Sequence, residues 1–132
     1  MFQIDIMSRT PVYEQLVNQT EKFILLGILK PGDKIPSVRQ LSAELSVNPN
    51  TIQKAFSELD RRGIIFAVNG RGNYVSEKAT IALEKSRRIA LDDIREQIKD
   101  FALAGIKREE LHEYIDEIYD ELSDEMSLDN NE

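Results

Sequence analysis

The sequence predicts a mainly α-helical fold in two parts, and three observations support this. Residues 37–63 have the pattern of two short helices joined by a tight turn. A short apolar run with a glycine-rich turn follows directly, which indicates a small β hairpin, or wing. From residue 77 onward, apolar residues recur at helical spacing. We therefore expect a winged helix-turn-helix domain at residues 1–76 and a two-helix dimerisation hairpin with an acidic tail at residues 77–132.

The composition narrows the class of protein. The 132 residues include no cysteine, which excludes disulfides, thiol catalysis and cysteine-ligated metal sites. No apolar run approaches the ~20 residues of a membrane span and no signal peptide is visible, so we expect a cytoplasmic protein without a membrane partner. The net charge of −7 is uneven: residues 1–76 hold 9 basic and 7 acidic side chains, and residues 77–132 hold 8 and 17. The first part is therefore mildly basic, which gives slight support for a nucleic-acid partner.

The first helix is predicted between Thr10 and about Leu26. Thr10 is a suitable N-cap, and Pro11 would then occupy the first helical position, where a missing N–H costs nothing. Gly27 should end the helix. Its core-facing stripe is Tyr13, Leu16, Val17, Thr20, Phe23 and Ile24. Residues 2–6 alternate apolar and polar side chains, which predicts a short strand or an extended arm.

The second and third helices carry clear start signals. Ser37 followed by Gln40 is a capping box. Asn48 followed by Pro49 places an N-cap before a proline at the first helical position. The third helix should end at Gly63 and bury a stripe formed by Ile52, Ala55, Phe56 and Leu59.

The opposite face of the third helix is polar but carries one charge. Its side chains are amides, hydroxyls and a lysine, namely Asn50, Thr51, Gln53, Lys54 and Ser57. Amides and hydroxyls hydrogen-bond to base edges and phosphates, and lysine neutralises phosphate. In a helix-turn-helix the second helix of the pair enters the DNA major groove. The face is therefore either a DNA-reading surface or the solvated side of an ordinary core helix.

A β hairpin is predicted directly after the third helix. Residues 64–68 and 73–75 form its strands, and the Asn-Gly-Arg-Gly segment at 69–72 forms its turn. Arg71 stands between two glycines, so nothing bulky hinders its approach to a phosphate or to the minor groove. The hairpin is either a DNA-contacting wing or a plain hairpin with an exposed arginine, and its attachment to the helical pair favours the wing.

Two further helices are predicted, one ending near residue 104 and one running from about Arg108 to Ser123, with a frayed acidic end at residues 123–132. Gly105 separates them. Their apolar stripes are Leu91, Ile94, Ile98 and Phe101 on one and Leu111, Ile115, Ile118 and Leu122 on the other. Two helices alone cannot cover such stripes, so either the chain's own winged helix or a second subunit must do so. We prefer a homodimer, and we expect the hairpin to be too small to enclose a sizeable metabolite.

Three segments of the first part form a specific combination of motifs. They are Lys-Pro-Gly-Asp-Lys-Ile-Pro-Ser-Val-Arg-Gln-Leu at 30–41, Val-Asn-Pro-Asn-Thr-Ile-Gln-Lys-Ala-Phe at 47–56 and Leu-Asp-Arg-Arg-Gly at 59–63. Together they resemble the DNA-binding domain of the GntR family. The Thr-Pro-Val-Tyr-Glu-Gln-Leu opening at 10–16 and the short C-terminal part resemble its YtrA subfamily. The resemblance implies a transcriptional repressor that binds a palindromic double-stranded DNA operator as a homodimer, controls a transporter operon and responds to an unidentified inducer.

The same resemblance implies which side chains contact DNA. The matching positions are Arg39, Asn48, Asn50, Thr51, Gln53, Gly70 and Arg71. Lys54 joins them from the polar face described above. Pro49 departs from the family pattern, which often has an arginine or a small hydroxyl residue there. Because a proline side chain cannot hydrogen-bond, base readout at the start of the third helix must come from the residues next to Pro49.

Enzymatic and metal chemistry find little support in the sequence. The chain has no phosphate-binding glycine loop, no nucleophile–base pair and no carboxylate dyad, so we expect no enzyme activity, no catalytic residue and no cofactor. His112 is the one histidine, and a solvated side chain explains it more simply than a metal site. The alternative function is a winged-helix protein-interaction module without sequence-specific DNA binding, whose acidic helices dock a basic partner.

Overall fold

The structure, a computed structural model, describes the backbone of residues 1–130 and the side chains of residues 1–126. Its elements are α1 (Val12–Leu25), α2 (Val38–Leu45), α3 (Pro49–Arg61), β1 (Ile65–Val68), β2 (Gly72–Val75), α4 (Ala79–Leu103) and α5 (Arg108–Asn130). The two strands form one antiparallel sheet. The predicted fold class, mainly α with a small β hairpin, is confirmed.

The chain divides into two compact units, the first formed by Met1–Ser86 and the second beginning at Arg87. The start of α4 belongs to the first unit, since Ala79 and Leu83 are buried in its core. The domain boundary that the sequence predicts after Ser76 remains a prediction.

The first unit has a continuous apolar core supplied by α1, α2, α3, the hairpin and the start of α4. Its buried members are Leu16, Val17, Ile24, Leu29, Ile35, Leu41, Ile52, Ala55, Phe56, Leu59, Ile64, Ile65, Val75, Ala79 and Leu83. The stripes predicted on α1 and α3 are confirmed, with Tyr13 and Phe23 packed against the core from its edge. Burying each large aliphatic side chain contributes about 1.5–3 kcal/mol, so this unit has a core of its own.

The start of α1 differs from the sequence prediction. Pro11 is the N-cap, with φ −55° and ψ 149°, and no side chain caps the helix. The prediction that Thr10 caps the helix and that Pro11 begins it is therefore wrong by one residue. The extended ψ of Pro11 delays the first helical turn, and the backbone oxygen of Thr10 accepts a hydrogen bond from Gln15 Nε2 at 2.9 Å.

The N-terminal segment forms an arm on α1 and contains no strand. Gln15 exchanges two hydrogen bonds with the backbone of Asp5, at 3.0 and 2.9 Å, and Gln19 pairs in the same way with the backbone of Gln3. Residues four apart on a helix face the same side, and so do residues two apart on an extended arm. The two glutamine side chains can therefore each hydrogen-bond to one residue of the arm and hold it against α1. Phe2 completes the attachment by packing edge-on against Phe23, with ring centroids 5.3 Å apart.

Three helices end in the same way, at Gly27, Gly63 and Gly105, each with positive φ. After α1, the N–H of Ile28 donates to Phe23 O and that of Gly27 donates to Ile24 O. The corresponding pairs of bonds follow α3 and α4, which makes all three ends Schellman motifs. The glycine stops predicted from the sequence are confirmed.

The last helix is longer than the sequence predicts. α5 runs to Asn130, so the expected end near Ser123 is wrong. No glycine or proline lies between Lys107 and Asn130, and nothing in that run interrupts the i to i−4 hydrogen bonds. The fraying predicted for residues 123–130 stays a prediction, and residues 131 and 132 lie outside the described residues.

Candidate nucleic-acid interface

The turn that leads into α2 is built as predicted. Gln40 N donates to Ser37 Oγ at 3.1 Å, and Ser37 N donates to Gln40 Oε1 at 2.8 Å. This reciprocal pair is a capping box, and it satisfies two of the backbone donors that a helix start leaves unpaired.

The turn between α2 and α3 is fixed by one backbone conformation and one hydrogen bond. Ser46 takes the left-handed conformation, with φ 54°, which reverses the chain within two residues. Ser42 Oγ, one turn back in α2, donates to Val47 O at 2.6 Å. Because Ser42 belongs to α2 and Val47 immediately precedes the cap of α3, this bond fixes the direction in which α3 leaves the turn.

Asn48 and Pro49 start α3 as predicted. Asn48 Oδ1 accepts the N–H of Asn50 at 2.8 Å, and Pro49 holds the first helical position. The carboxamide oxygen of Asn48 is therefore engaged by its own helix.

The polar face of α3 is open to solvent. Asn50, Gln53 and Lys54 are exposed and Thr51 is half-buried. Gln53 Nε2 lies 3.4 Å from Ser57 Oγ, which is a long hydrogen bond that costs little to break. On α2, Arg39 is exposed as well. The structure thus places the predicted residues of both helices at the surface of the same helix-turn-helix.

Lys54 has a partner that the sequence analysis missed. Its Nζ lies 4.0 Å from the centroid of the Tyr13 ring, which comes from the first turn of α1. That distance is well within the ~6 Å range of a cation–π interaction. No local pattern could have indicated the pair, because the two residues lie on different helices and Tyr13 was assigned only to the core-facing stripe.

The hairpin forms as predicted, but its bounds differ by one residue: Ile64 lies outside β1, and Gly72, which was predicted in the turn, begins β2. Ile65 pairs with Val75 and Val68 with Gly72, and the loop closes with Arg71 N donating to Val68 O at 2.9 Å. Gly70 has φ 76°, which suits a glycine, and Arg71 at the tip is exposed.

Lys34 is a second residue that the sequence analysis missed. It forms an isolated bridge with Tyr74, and its side chain crosses Gly72, where an added Cβ would lie 3.2 Å from Lys34 Cε. Gly72 therefore has two reasons to be glycine, this close approach and its φ of 106°. The lysine adds a positive charge beside the Arg71 tip.

The far end of α3 carries a charge cluster formed by Glu21, Glu58, Arg61 and Arg62. Arg62 contacts Glu58 at 2.8 Å and Glu21 at 3.2 Å, and Arg61 forks onto both oxygens of Glu58. Glu21 is 2% exposed and lies on the buried side of α1, a position that the periodicity of the stripe could have indicated. Arg62 joins α1 to the end of α3 through Glu21, whereas Arg61 pairs with Glu58 on its own helix.

The cluster makes part of the stability acid-sensitive. Hydrogen bonds from Arg61 and then Arg62 lower the pKa of Glu58 from 4.5 to about 2. A carboxylate with a lowered folded-state pKa stabilises the fold above its unfolded pKa, and that contribution is lost as pH falls through the folded value. We expect Glu58→Gln to be less stable than the natural chain at neutral pH, with the difference shrinking between about pH 4.5 and pH 2.

Thermal unfolding of both chains across that pH range is the measurement. Asp60→Asn is the matched control, because it removes an exposed neighbouring carboxylate that lies outside the cluster. A stability difference for Glu58→Gln that does not change with pH would show that the ion pairs contribute nothing.

Within the part of the chain that the structure describes, no group of three or more metal-ligating side chains could hold a metal ion. His112 instead lines an open groove of about 510 Å³ in the second unit, together with Arg108 and apolar side chains. In the same described part, no helix is long and apolar enough to cross a membrane.

Comparison with known proteins identifies the family. Residues 12–75 match the family described as bacterial regulatory proteins, gntR family. The chain is 47% identical over 119 residues to the HTH-type transcriptional repressor YtrA of Bacillus subtilis strain 168, an alignment that covers 89% of this chain and 92% of YtrA. The chain belongs to the GntR family. The resemblance to its YtrA subfamily, drawn from the sequence, is confirmed as well.

Solved structures of GntR proteins share the fold. A GntR family transcriptional regulator from Listeria monocytogenes superposes with a TM-score of 0.69 at 33% identity, covering 86% of this chain and 98% of its own. The DNA-binding domain of AraR, solved in complex with operator ORE1, superposes with a TM-score of 0.50 at 28% identity, covering 58% of this chain and 93% of its own.

Proposed function

We propose that this GntR protein is a sequence-specific DNA-binding transcriptional repressor that binds a palindromic operator as a homodimer in the cytoplasm. One observation carries the proposal. The face of α3 that points away from the core carries amides, hydroxyls and one lysine, all exposed except the half-buried Thr51. The turn before α3 and the cap at its start fix the direction of the helix. The named relatives, a repressor and an operator-bound domain, support it.

In this proposal α3 lies in the major groove. Asn50, Thr51 and Gln53 lie in its first two turns, which is the part of a recognition helix that meets base edges. Gln53 has to release only its long bond to Ser57 before its amide can pair with a base. Lys54 and Arg39 provide positive charge for phosphates or guanine edges.

Asn48 and Pro49 have narrower roles in the same interface. Because Asn48 Oδ1 caps α3, its amide NH₂ is the group left to donate to a phosphate. Pro49 has no side-chain donor or acceptor, so specificity at the start of α3 rests on Asn50 and Thr51.

The wing supplies a second contact. Gly70 and Gly72 leave room on both sides of Arg71, and Lys34 lies along the same loop. Two cations at one tip suit a phosphate contact, which positions the protein without reading sequence.

We expect Arg71→Ala to weaken operator binding by about 1–3 kcal/mol at moderate salt, by similar amounts for different sequences, and to reduce the salt dependence by about one unit of slope. Binding titrations at several salt concentrations measure both quantities. Arg71→Lys is the matched control, because it keeps the charge and should keep most of the slope. An affinity loss limited to one base position, with an unchanged slope, would instead assign Arg71 to base readout.

The proposal of a homodimer rests on the exposed apolar side chains of the second unit. None of the described side chains from Arg87 to Met126 is buried in a single chain. The two apolar stripes are accordingly open: Leu111 is half-buried and the others, from Ile98 at 39% to Leu91 at 60%, are exposed. Monomeric soluble proteins rarely expose apolar stripes of this length, so a partner must cover them.

A second copy of this chain fits as that partner. A two-fold axis lets each stripe meet its counterpart, and a dimer would present two α3 helices to a palindrome. The groove of about 510 Å³ is lined by Ile98, Leu111 and Ile115, so the second copy would close it. Control of a transporter operon and response to an inducer remain predictions.

A mobility-shift titration against the promoter of the chain's own operon tests the function. We expect sequence-specific binding in the nanomolar-to-micromolar range that survives an excess of unrelated duplex. The alternative is a winged-helix protein-interaction module, and absence of a shift even at low salt would favour that module over the repressor.

A further inference from the structure

Lys54 is the one charged side chain on the polar face of α3, and it does not stand free. Its ammonium lies 4.0 Å from the centroid of the Tyr13 ring, so α1 determines where this charge sits. A lysine side chain has four rotatable bonds and would otherwise sample many positions.

Tyr13 is a fixed support. It is half-buried and packs against the core of the first unit. Gln15 braces the start of the same helix, because its amide donates to both Thr10 O and Asp5 O at 2.9 Å. The ring therefore holds its position and the lysine adjusts to it.

The kind of partner matters for a DNA contact. Arg61 and Arg62 are held by the carboxylates of Glu58 and Glu21, which neutralise them. An aromatic ring holds a cation through its quadrupole and carries no net charge. Lys54 thus keeps its full charge toward a phosphate, whereas the two arginines would first have to break an ion pair.

We propose that Tyr13 is a positioning residue of the DNA interface, whose ring holds the Lys54 ammonium where an operator phosphate will lie. The inference rests on the proposed function and adds a residue of α1 to it. The ring pre-orders the lysine in the free protein, so less side-chain freedom is lost on binding.

Operator titrations with four variants test the inference: Tyr13→Leu, Tyr13→Phe, Lys54→Gln and the double variant Tyr13→Leu/Lys54→Gln. We expect Tyr13→Phe to bind like the natural chain, because it keeps the ring. Tyr13→Leu should bind about 2- to 5-fold more weakly. Lys54→Gln should bind more weakly still and lose about one unit of salt slope. In the Lys54→Gln background, Tyr13→Leu should cause no further loss, since it acts through the lysine.

Thermal unfolding controls for the fold, because Tyr13 also packs against the core. Should Tyr13→Leu lower the melting temperature, Tyr13→Met provides a second side chain of similar length without a ring. In the free protein, proton NMR gives an independent readout. The ε-methylene protons of Lys54 should be shifted upfield by the ring in the natural chain and in Tyr13→Phe, and not in Tyr13→Leu.

Three results would overturn the inference while leaving the proposed function intact. They are unchanged or tighter operator binding by Tyr13→Leu, an equal loss in the Lys54→Gln background, and a loss in Tyr13→Phe as large as that in Tyr13→Leu. The last would assign the effect to the tyrosine hydroxyl. Failure of the natural chain to bind any operator would instead remove the proposed function, and this inference with it.

Discussion

Ile115→Asp is expected to split the dimer and to abolish tight operator binding. Ile115 is 46% exposed in a single chain and lies at the centre of the α5 stripe. In the proposed dimer each subunit would bury an unpaired carboxylate, at a cost of several kcal/mol per assembly. Sedimentation should show a monomer at micromolar concentration, where we expect the natural chain to be a dimer.

The first unit should stay folded in this variant, since its core does not include Ile115. Ile89→Asp is the matched control: it introduces the same charge on α4, at a residue that is 64% exposed and outside the predicted stripe. It should leave the dimer intact. A natural chain that sediments as a monomer, or an Ile115→Asp chain that remains dimeric, would place the interface elsewhere.

Arg39→Ala is expected to cost about 1–3 kcal/mol of operator binding without lowering the melting temperature. Arg39 is exposed on α2, and the buried residue of that helix is Leu41. Its loss therefore removes a contact to DNA and no contact within the core. Titrations against the operator and against a single-base variant set would measure the loss and its dependence on sequence.

Arg95→Ala serves as the control for Arg39, because it removes an exposed arginine from the second unit. It should bind the operator as the natural chain does. If Arg39→Ala also retained full affinity for the operator, Arg39 would make no contact with DNA that contributes to binding. Recognition of the operator would then depend on α3 and the wing.

Local chemistry made much of the first unit predictable. Ser37 with Gln40 and Asn48 with Pro49 are start signals complete within four residues, and both caps form as predicted. The stripes of α1 and α3 follow from periodicity alone. The same logic was wrong at Thr10, where an equally good local signal gives way to Pro11 as the cap.

The remaining features depend on residues far apart in sequence. Glu21 is buried because Arg62, forty-one positions away, pairs with it. Tyr13 meets Lys54 because α1 packs on α3. The end of α5 was predicted too early for a different reason. The acidic run after Ser123 is typical of a disordered tail, but it contains no residue that ends a helix.

In the proposed complex, two copies of the chain place two α3 helices in successive major grooves of one operator. A hydroxyl-radical footprint of the operator bound by the natural chain tests it most directly. We expect two protected segments related by a two-fold axis, with centres about 10–10.5 base pairs apart or a multiple of that. A single protected segment, or protection without two-fold symmetry, would contradict it.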